Sequence, residues 1–267
     1  MPRVEILLAA LLSLPLCPNS VLAGGANASL AAPARVAYPV LAPDGNAILA
    51  AADDRAAAFK DQKYVASMEI RRGGKTSKTL EFDMSMRGLE KQLIVFRAPG
   101  DVAGMKVLMQ DAQTLYVYSP EFKKVRRIAA HMQNQGFLGS TFTYEDMTGL
   151  RLSARYDAKL GGRSGSKTTL ALTAKPGTKP TYPTMEVVID ASVGAITTLR
   201  YFDGSGAQVR EQTRGAWKPF GKLKIPTNVT MKNLKTGDET VITLANVQVD
   251  TGIPDSTFSR RTLMRGT

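Results

Sequence analysis

The sequence predicts a mainly β protein built from antiparallel strands, and three observations predict it. Apolar and polar residues alternate with period two, most clearly where Leu80, Phe82, Met84 and Met86 interleave with Glu81, Asp83, Ser85 and Arg87. That is the pattern of a strand with one face in a core. Turn-forming clusters separate such stretches, as at Asp203-Gly204-Ser205-Gly206 and at residues 233–238, and these are hairpin signals. Roughly ten or eleven strands follow from this reading, with few helical segments between them.

The 267 residues are 43% hydrophobic, enough for one large domain with a substantial core or two small ones. No linker and no internal repeat stands out, so residues 44–267 read as one domain. The formal net charge is +12, a balance that draws anionic partners.

Residues 1–23 read as a cleavable signal peptide. Ile6 to Leu16 is apolar but too short to span a bilayer, and polar Pro18-Asn19-Ser20 follows. Val21-Leu22-Ala23 suits signal peptidase, with Ala26-Asn27-Ala28 as the alternative site. Leu16 stands where a lipobox needs a small residue, which argues against lipid on Cys17. Cleavage after Ala23 leaves no cysteine, hence no disulfide and no thiol nucleophile, in a protein expected to be exported to an oxidising compartment. No later apolar run is long enough to span a membrane.

Residues 24–43 are rich in Ala, Gly and Pro and read as a flexible lead-in. Asp44 is the expected N-cap of a first helix carrying Ile48, Ala51, Ala52 and Arg55 to Phe59. Strands then follow over 64–70, 80–86, 93–96, 105–109 and 115–118. The rhythm breaks at Ser119-Pro120. Val125, Ile128, Ala129 and Met132 recur at helical spacing, and Gly136 and Gly139 bracket Phe137 and Leu138 in what reads as a mobile connection. Further strands are expected over 170–174, 185–190, 196–202, 208–214, 225–231 and 240–249.

The chemistry-bearing residues are sparse. The one histidine, His131, and the lost cysteine exclude a structural zinc site. No Gly-x-Ser-x-Gly elbow exposes a serine, and Ser140 has only the preceding glycine. Residues 161–168 superficially resemble a phosphate loop, but the glycine spacing is wrong and a strand follows, so a hairpin is expected. The pairs Asp53-Asp54 and Glu145-Asp146 are neighbours that point different ways, so neither makes an acid/base dyad. The expectation is a binding protein with no catalytic residues, no metal and no cofactor.

Residues 115–147 concentrate what is unusual: Tyr116 and Tyr118, four cations at Lys123, Lys124, Arg126 and Arg127, the aromatics Phe137, Phe142 and Tyr144, and the acids Glu145 and Asp146. The cations and tyrosines would suit nucleic acid. Export argues instead for an acidic partner face or anionic headgroups.

Here the chain resembles a known family. The runs Phe122-Lys123-Lys124-Val125-Arg126-Arg127-Ile128 and Phe137 to Met147 are similar to the signature of LolA-like outer-membrane lipoprotein-sorting proteins. The likeness continues through Phe96 to Asp101, Tyr201-Phe202-Asp203, Pro226-Thr227 and Asn233 to Gly237. One departure is Thr141, where family members usually carry Asp. The resemblance implies a LolA/LolB-like open, incomplete antiparallel β-barrel closed by helices around an apolar cavity. It implies a periplasmic carrier without enzymatic activity.

Within such a barrel, Phe82, Met84 and Met86 are expected to line the cavity, with Phe96, Met109, Tyr116 and Tyr118 as neighbours; methionine suits variable apolar ligands. Phe137, Phe142 and Tyr144 are expected to cover its mouth as a lid. Lys123, Lys124, Arg126 and Arg127 are expected to meet a partner or to latch the lid through Glu145 and Asp146. The expected cargo is the acyl chains of a lipoprotein or a lipid, passed from an inner-membrane exporter to an outer-membrane acceptor. The alternative is an accessory protein that shuttles a free lipid for an exporter. A secreted hydrolase, the third reading, lacks a nucleophile and a base.

Overall fold

Among the described residues, thirteen strands hydrogen-bond into one antiparallel sheet, which is not closed into a barrel. The structure is a computed structural model that describes residues 44–111, 114–149 and 151–265. The expected leader and lead-in lie outside the described residues.

The first helix, α1 (Gly45–Ala56), begins as the sequence predicts: the Asp44 carboxylate accepts the Asn46 N–H at 3.1 Å. It stops at Ala56, short of the expected Phe59, whose ring enters the core from the following turn. Six strands then run as a meander: β1 (Asp61–Arg72), β2 (Lys75–Arg87), β3 (Lys91–Ala98), β4 (Lys106–Asp111), β5 (Thr114–Ser119) and β6 (Lys124–Ile128). A second meander holds β7 (Tyr156–Ser164), β8 (Lys167–Ala174), β9 (Thr184–Asp190), β10 (Ala195–Phe202), β11 (Gln208–Phe220), β12 (Leu223–Asn233) and β13 (Glu239–Val249). The last strand pairs with the first, Met68 opposite Ile242 and Ile70 opposite Thr240, which joins the meanders.

This order leaves β6 and β7 as the two free edges, although they are consecutive in sequence. The segment 129–155 between them must therefore pass from one edge of the sheet to the other. A lid is thus a consequence of connectivity. The sheet also has to curl. Met86 of β2 and Leu199 of β10 line one cavity, yet five strand spacings lie between them, about 24 Å in a flat sheet.

The concave face carries the main core, including Met68, Leu80, Phe82, Phe96, Leu170, Val187 and Met231, with Leu49 from α1. The register sets Phe82 opposite Phe96 and Met84 opposite Ile94. Gly45 lets α1 dock on β7, because a Cβ there would lie 2.4 Å from the Ala158 carbonyl oxygen. A smaller core lies on the convex face, where Phe258 and Leu263 cover Leu93 and Leu108. Those two residues belong to a 3-10 turn (Asp255–Phe258) and to α2 (Arg260–Met264). No described helix is long and apolar enough to cross a membrane.

Two edge strands differ from expectation. The helical spacing of Val125, Ile128 and Met132 does not make a helix. Val125 and Ile128 lie in β6, opposite Tyr118 and Leu115, and only Ala130–Met132 forms a 3-10 turn. Strand β7 incorporates Gly161 and Gly162, and the expected hairpin turns at Gly165 with φ +57°.

Candidate functional site

The lid begins with a tight turn. Leu138 and Gly139 have φ of +52° and +80°, and the Phe137 N–H donates to the Phe142 carbonyl at 2.7 Å. The turn drives both phenyl rings inward, where they are 0% and 2% exposed. Phe137 packs on Phe96 with ring centroids 6.1 Å apart and edge-on to Tyr144 at 5.2 Å, while Phe96 packs on Phe82 at 5.4 Å. Thr141, at the departure from the family pattern, makes its own polar contacts. Its N–H donates to Thr240 Oγ1 at 2.9 Å and its hydroxyl to the Met231 carbonyl at 2.8 Å.

This stack corrects the expected cavity lining. Phe82, Met84 and Phe96 share the concave face, but lid aromatics fill the space in front of them. Met109 borders only a void of about 10 Å³ with Phe137 and Tyr144. Of the expected apolar lining, Met86 alone reaches the large cavity. Tyr116 and Tyr118 lie on the opposite face, in the convex cluster beneath α2. The reason is parity: Leu115 and Val117 face the concave core, so their neighbours in the strand must point away. The Arg260 guanidinium sits over the Tyr116 ring at 5.0 Å, and Lys106 Nζ lies 5.8 Å from the Tyr118 centroid.

The large cavity, about 600 Å³, lies in the other half of the concave face. It is bounded by α1 through Ala52 and Ala56, by the lid through Thr143 to Leu152, and by β9 to β12 through Met185, Leu199, Trp217 and Ile225. Trp217 reaches it because Ala216 has φ +50°. That left-handed residue interrupts the alternation, so Arg214 and Trp217 both line the cavity.

The acidic pair of the lid is fastened at the edge of this cavity. Asp146 Oδ2 meets Arg210 Nη2 of β11 at 2.5 Å, with side chains 9% and 6% exposed. Arg210 also donates to the Thr141 carbonyl at 2.6 Å and to the Tyr182 hydroxyl at 3.0 Å. The rings of Tyr182 and Tyr201 flank its guanidinium at 5.4 and 5.2 Å. Burial opposes its charge most strongly, but Asp146 and Tyr182 together outweigh burial and raise its pKa above the ordinary arginine value. Burial likewise pushes the Tyr201 phenol well up, which keeps it neutral. Glu145 pairs with Arg155 at 2.5 Å and accepts the Thr181 hydroxyl.

The expected latch to the basic strand is therefore replaced. Lys123, Lys124, Arg126 and Arg127 lie exposed at the sheet edge and its preceding turn. None of them enters an ion pair among the described residues. The sequence reading missed Arg210, Gln212 and Arg214. They alternate with Val209, Glu211 and Thr213 along β11, and a strand polar on both faces is the signal that could have found them.

Comparison with known proteins fits this geometry. Residues 88–265 match a family model described as an uncharacterized protein. A comparison with curated proteins finds no match. Among solved structures, a DUF1329 family protein from Desulfovibrio piger is similar, with TM-score 0.75 and 25% identity over 82% of this chain and 97% of that one. A candidate outer membrane lipoprotein-sorting protein domain from Vibrio parahaemolyticus has TM-score 0.75 and 21% identity over 83% and 98%. A LolA superfamily protein from Nitrosomonas europaea has TM-score 0.69 and 17% identity over 83% and 100%. With the family match spanning well over half of its 267 residues, the chain belongs to that family of uncharacterized proteins, and its fold is LolA-like.

Proposed function

We propose that the protein is a periplasmic carrier that binds acyl chains, of a lipoprotein or of a lipid, for transfer toward the outer membrane. The observation that carries this reading is the cavity of about 600 Å³ between α1, the lid and β9 to β12. Its volume lies in the range of sites that hold small molecules. Ala52, Met185, Leu199 and Ile225 give it an apolar wall, and burying an acyl chain contributes about 0.8 kcal/mol per methylene. The lid is held to the sheet by the Asp146–Arg210 pair and by the Thr141 hydrogen bonds, so opening it breaks these contacts and leaves the strand pairing intact.

Volume bears on the cargo. A cavity of about 600 Å³ lies in the range of sites that hold one small ligand. The several chains of a lipoprotein anchor require the lid segment to move. This favours, as a second reading, an accessory protein that shuttles a free lipid for an inner-membrane exporter. Mass spectrometry of material co-purifying from the periplasm separates the two. Acylated protein supports lipoprotein carriage, and a stoichiometric free lipid supports the shuttle. Chain recovered with neither, and unable to take up added lipid, contradicts both.

A further inference from the structure

We infer that the ligand of this cavity is an amphiphile with an anionic head group, and that Arg214 is the residue that holds the head. The inference rests on the carrier reading above and names its ligand class. Arg214 lies on the concave side of β11, two strand positions beyond Gln212 and four beyond Arg210, and it lines the cavity. Arg210 is paired with Asp146 of the lid, its Nε alone lacking a partner, whereas Arg214 has no ion pair among the described residues. Its one side-chain hydrogen bond among the described residues is weak, from Nη2 to Gln212 Oε1 at 3.4 Å. Arg214 is half-buried in the cavity wall, and desolvation there pushes its pKa below the ordinary arginine value. A half-buried cation with no paired carboxylate, facing an apolar-walled cavity, is a charge that an anionic group entering the cavity can neutralise.

The acidic groups within reach are already committed. Asp53 of α1 is buried and accepts the Ser153 N–H at 2.7 Å. It attracts Arg214 through space without pairing with it. Glu145 and Asp146 belong to Arg155 and Arg210. Tyr201 is a neutral phenol. In all, five cations line the cavity against three carboxylates. At the rim Arg55 Nη1 donates to the Gly194 carbonyl at 2.8 Å, and Lys224 Nζ to the Ser192 carbonyl at 2.9 Å. Backbone carbonyls leave the charge of both uncompensated, so an anionic head meets positive potential from rim to interior. The apolar wall then takes the tail.

Trp217, the only tryptophan in the chain, lines the same cavity, and its Nε1–H donates to the Arg214 carbonyl at 3.2 Å. Its fluorescence reports occupancy without a label. Wild-type protein is titrated with palmitate, hexadecyl phosphate and 1-hexadecanol, which share a tail and differ in the head. The expected result is that at least one anion binds about tenfold to a hundredfold more tightly than the alcohol. Arg214→Gln should erase that preference and leave the alcohol unchanged, and Arg214→Lys should restore part of it. The tighter anion of the two identifies a carboxylate or a phosphate head. Equal binding of the alcohol and both anions by the wild type, a comparison that needs no variant, overturns the inference and leaves the carrier reading standing. So does a full preference retained in Arg214→Gln. Binding of none of the three overturns the carrier reading and this inference with it.

Discussion

Asp146 of the lid and Arg210 of β11 form an ion pair at 2.5 Å in which both side chains are less than a tenth exposed. Breaking one side of such a pair strands a buried charge, at a cost of about 3–5 kcal/mol. Arg210→Met and Asp146→Leu should each destabilise the protein by that order in urea denaturation. The double variant should be less destabilised than the sum of the two, because neither charge is then left unpaired. Arg127 and Glu145, expected to pair from the sequence, should show strictly additive effects in the same assay.

Phe137 is a packing residue. Its ring is fully buried against Phe96 and Tyr144. Phe137→Ala should cost about 3–5 kcal/mol and open a cavity in the half of the concave face that is now filled. Calorimetric melting checks the loss. A change within 1 kcal/mol would mean that the ring leaves the core readily.

Gly45→Ala sets two effects against each other. Alanine improves helix propensity by about 1 kcal/mol. Its Cβ, however, would sit 2.4 Å from the backbone oxygen of Ala158, which cannot rotate away. Overpacking of this kind costs about 1–3 kcal/mol, so the clash wins and the melting temperature should fall. Ligand affinity should fall with it, because α1 is a wall of the cavity.

Acid should loosen the junction between β1 and the segment after β13. Asp61 accepts N–H bonds from Thr251 and Gly252 at 2.8 and 2.9 Å and the Thr251 hydroxyl at 3.0 Å. Burial works to raise its pKa, but these bonds outweigh burial and lower it. A depressed carboxyl contributes stability that is present above the unfolded-state pKa and lost as pH falls through the folded one. Asp61→Asn should therefore lower the melting temperature at pH 7 by about 2–4 °C and flatten its decline toward pH 3. An unchanged acid limb would show that Asp61 is not the group responsible.

Much of the fold was legible because it is local. Alternation over 80–86, the hairpin at Asp203 to Gly206 and the Asp44 cap all depend on residues within a few positions of each other. The edge strands were not legible. β6 carries Lys124, Arg126 and Arg127 where an inner strand carries apolar residues, a composition suited to an unpaired edge. β5 misled because both of its faces are covered, so aromatic character did not tell which face is concave. The lid segment was recognisable from Phe137 to Asp146, but its partners were not. Arg210 lies 64 residues beyond Asp146, and only the order and curl of the sheet bring them together. Which half of the concave face stays open depends on where the lid rings settle, and that is a matter of packing.

The central claim is that an acyl chain occupies the cavity beside Trp217. A brominated fatty acid quenches tryptophan only on close approach, so titration with 9,10-dibromostearate tests it directly. The account predicts saturable quenching of Trp217 at one ligand per chain, abolished in a folded Ala52→Phe variant whose added ring fills the cavity from α1. Binding of the fatty acid with no quenching, or quenching that survives in Ala52→Phe, would contradict it.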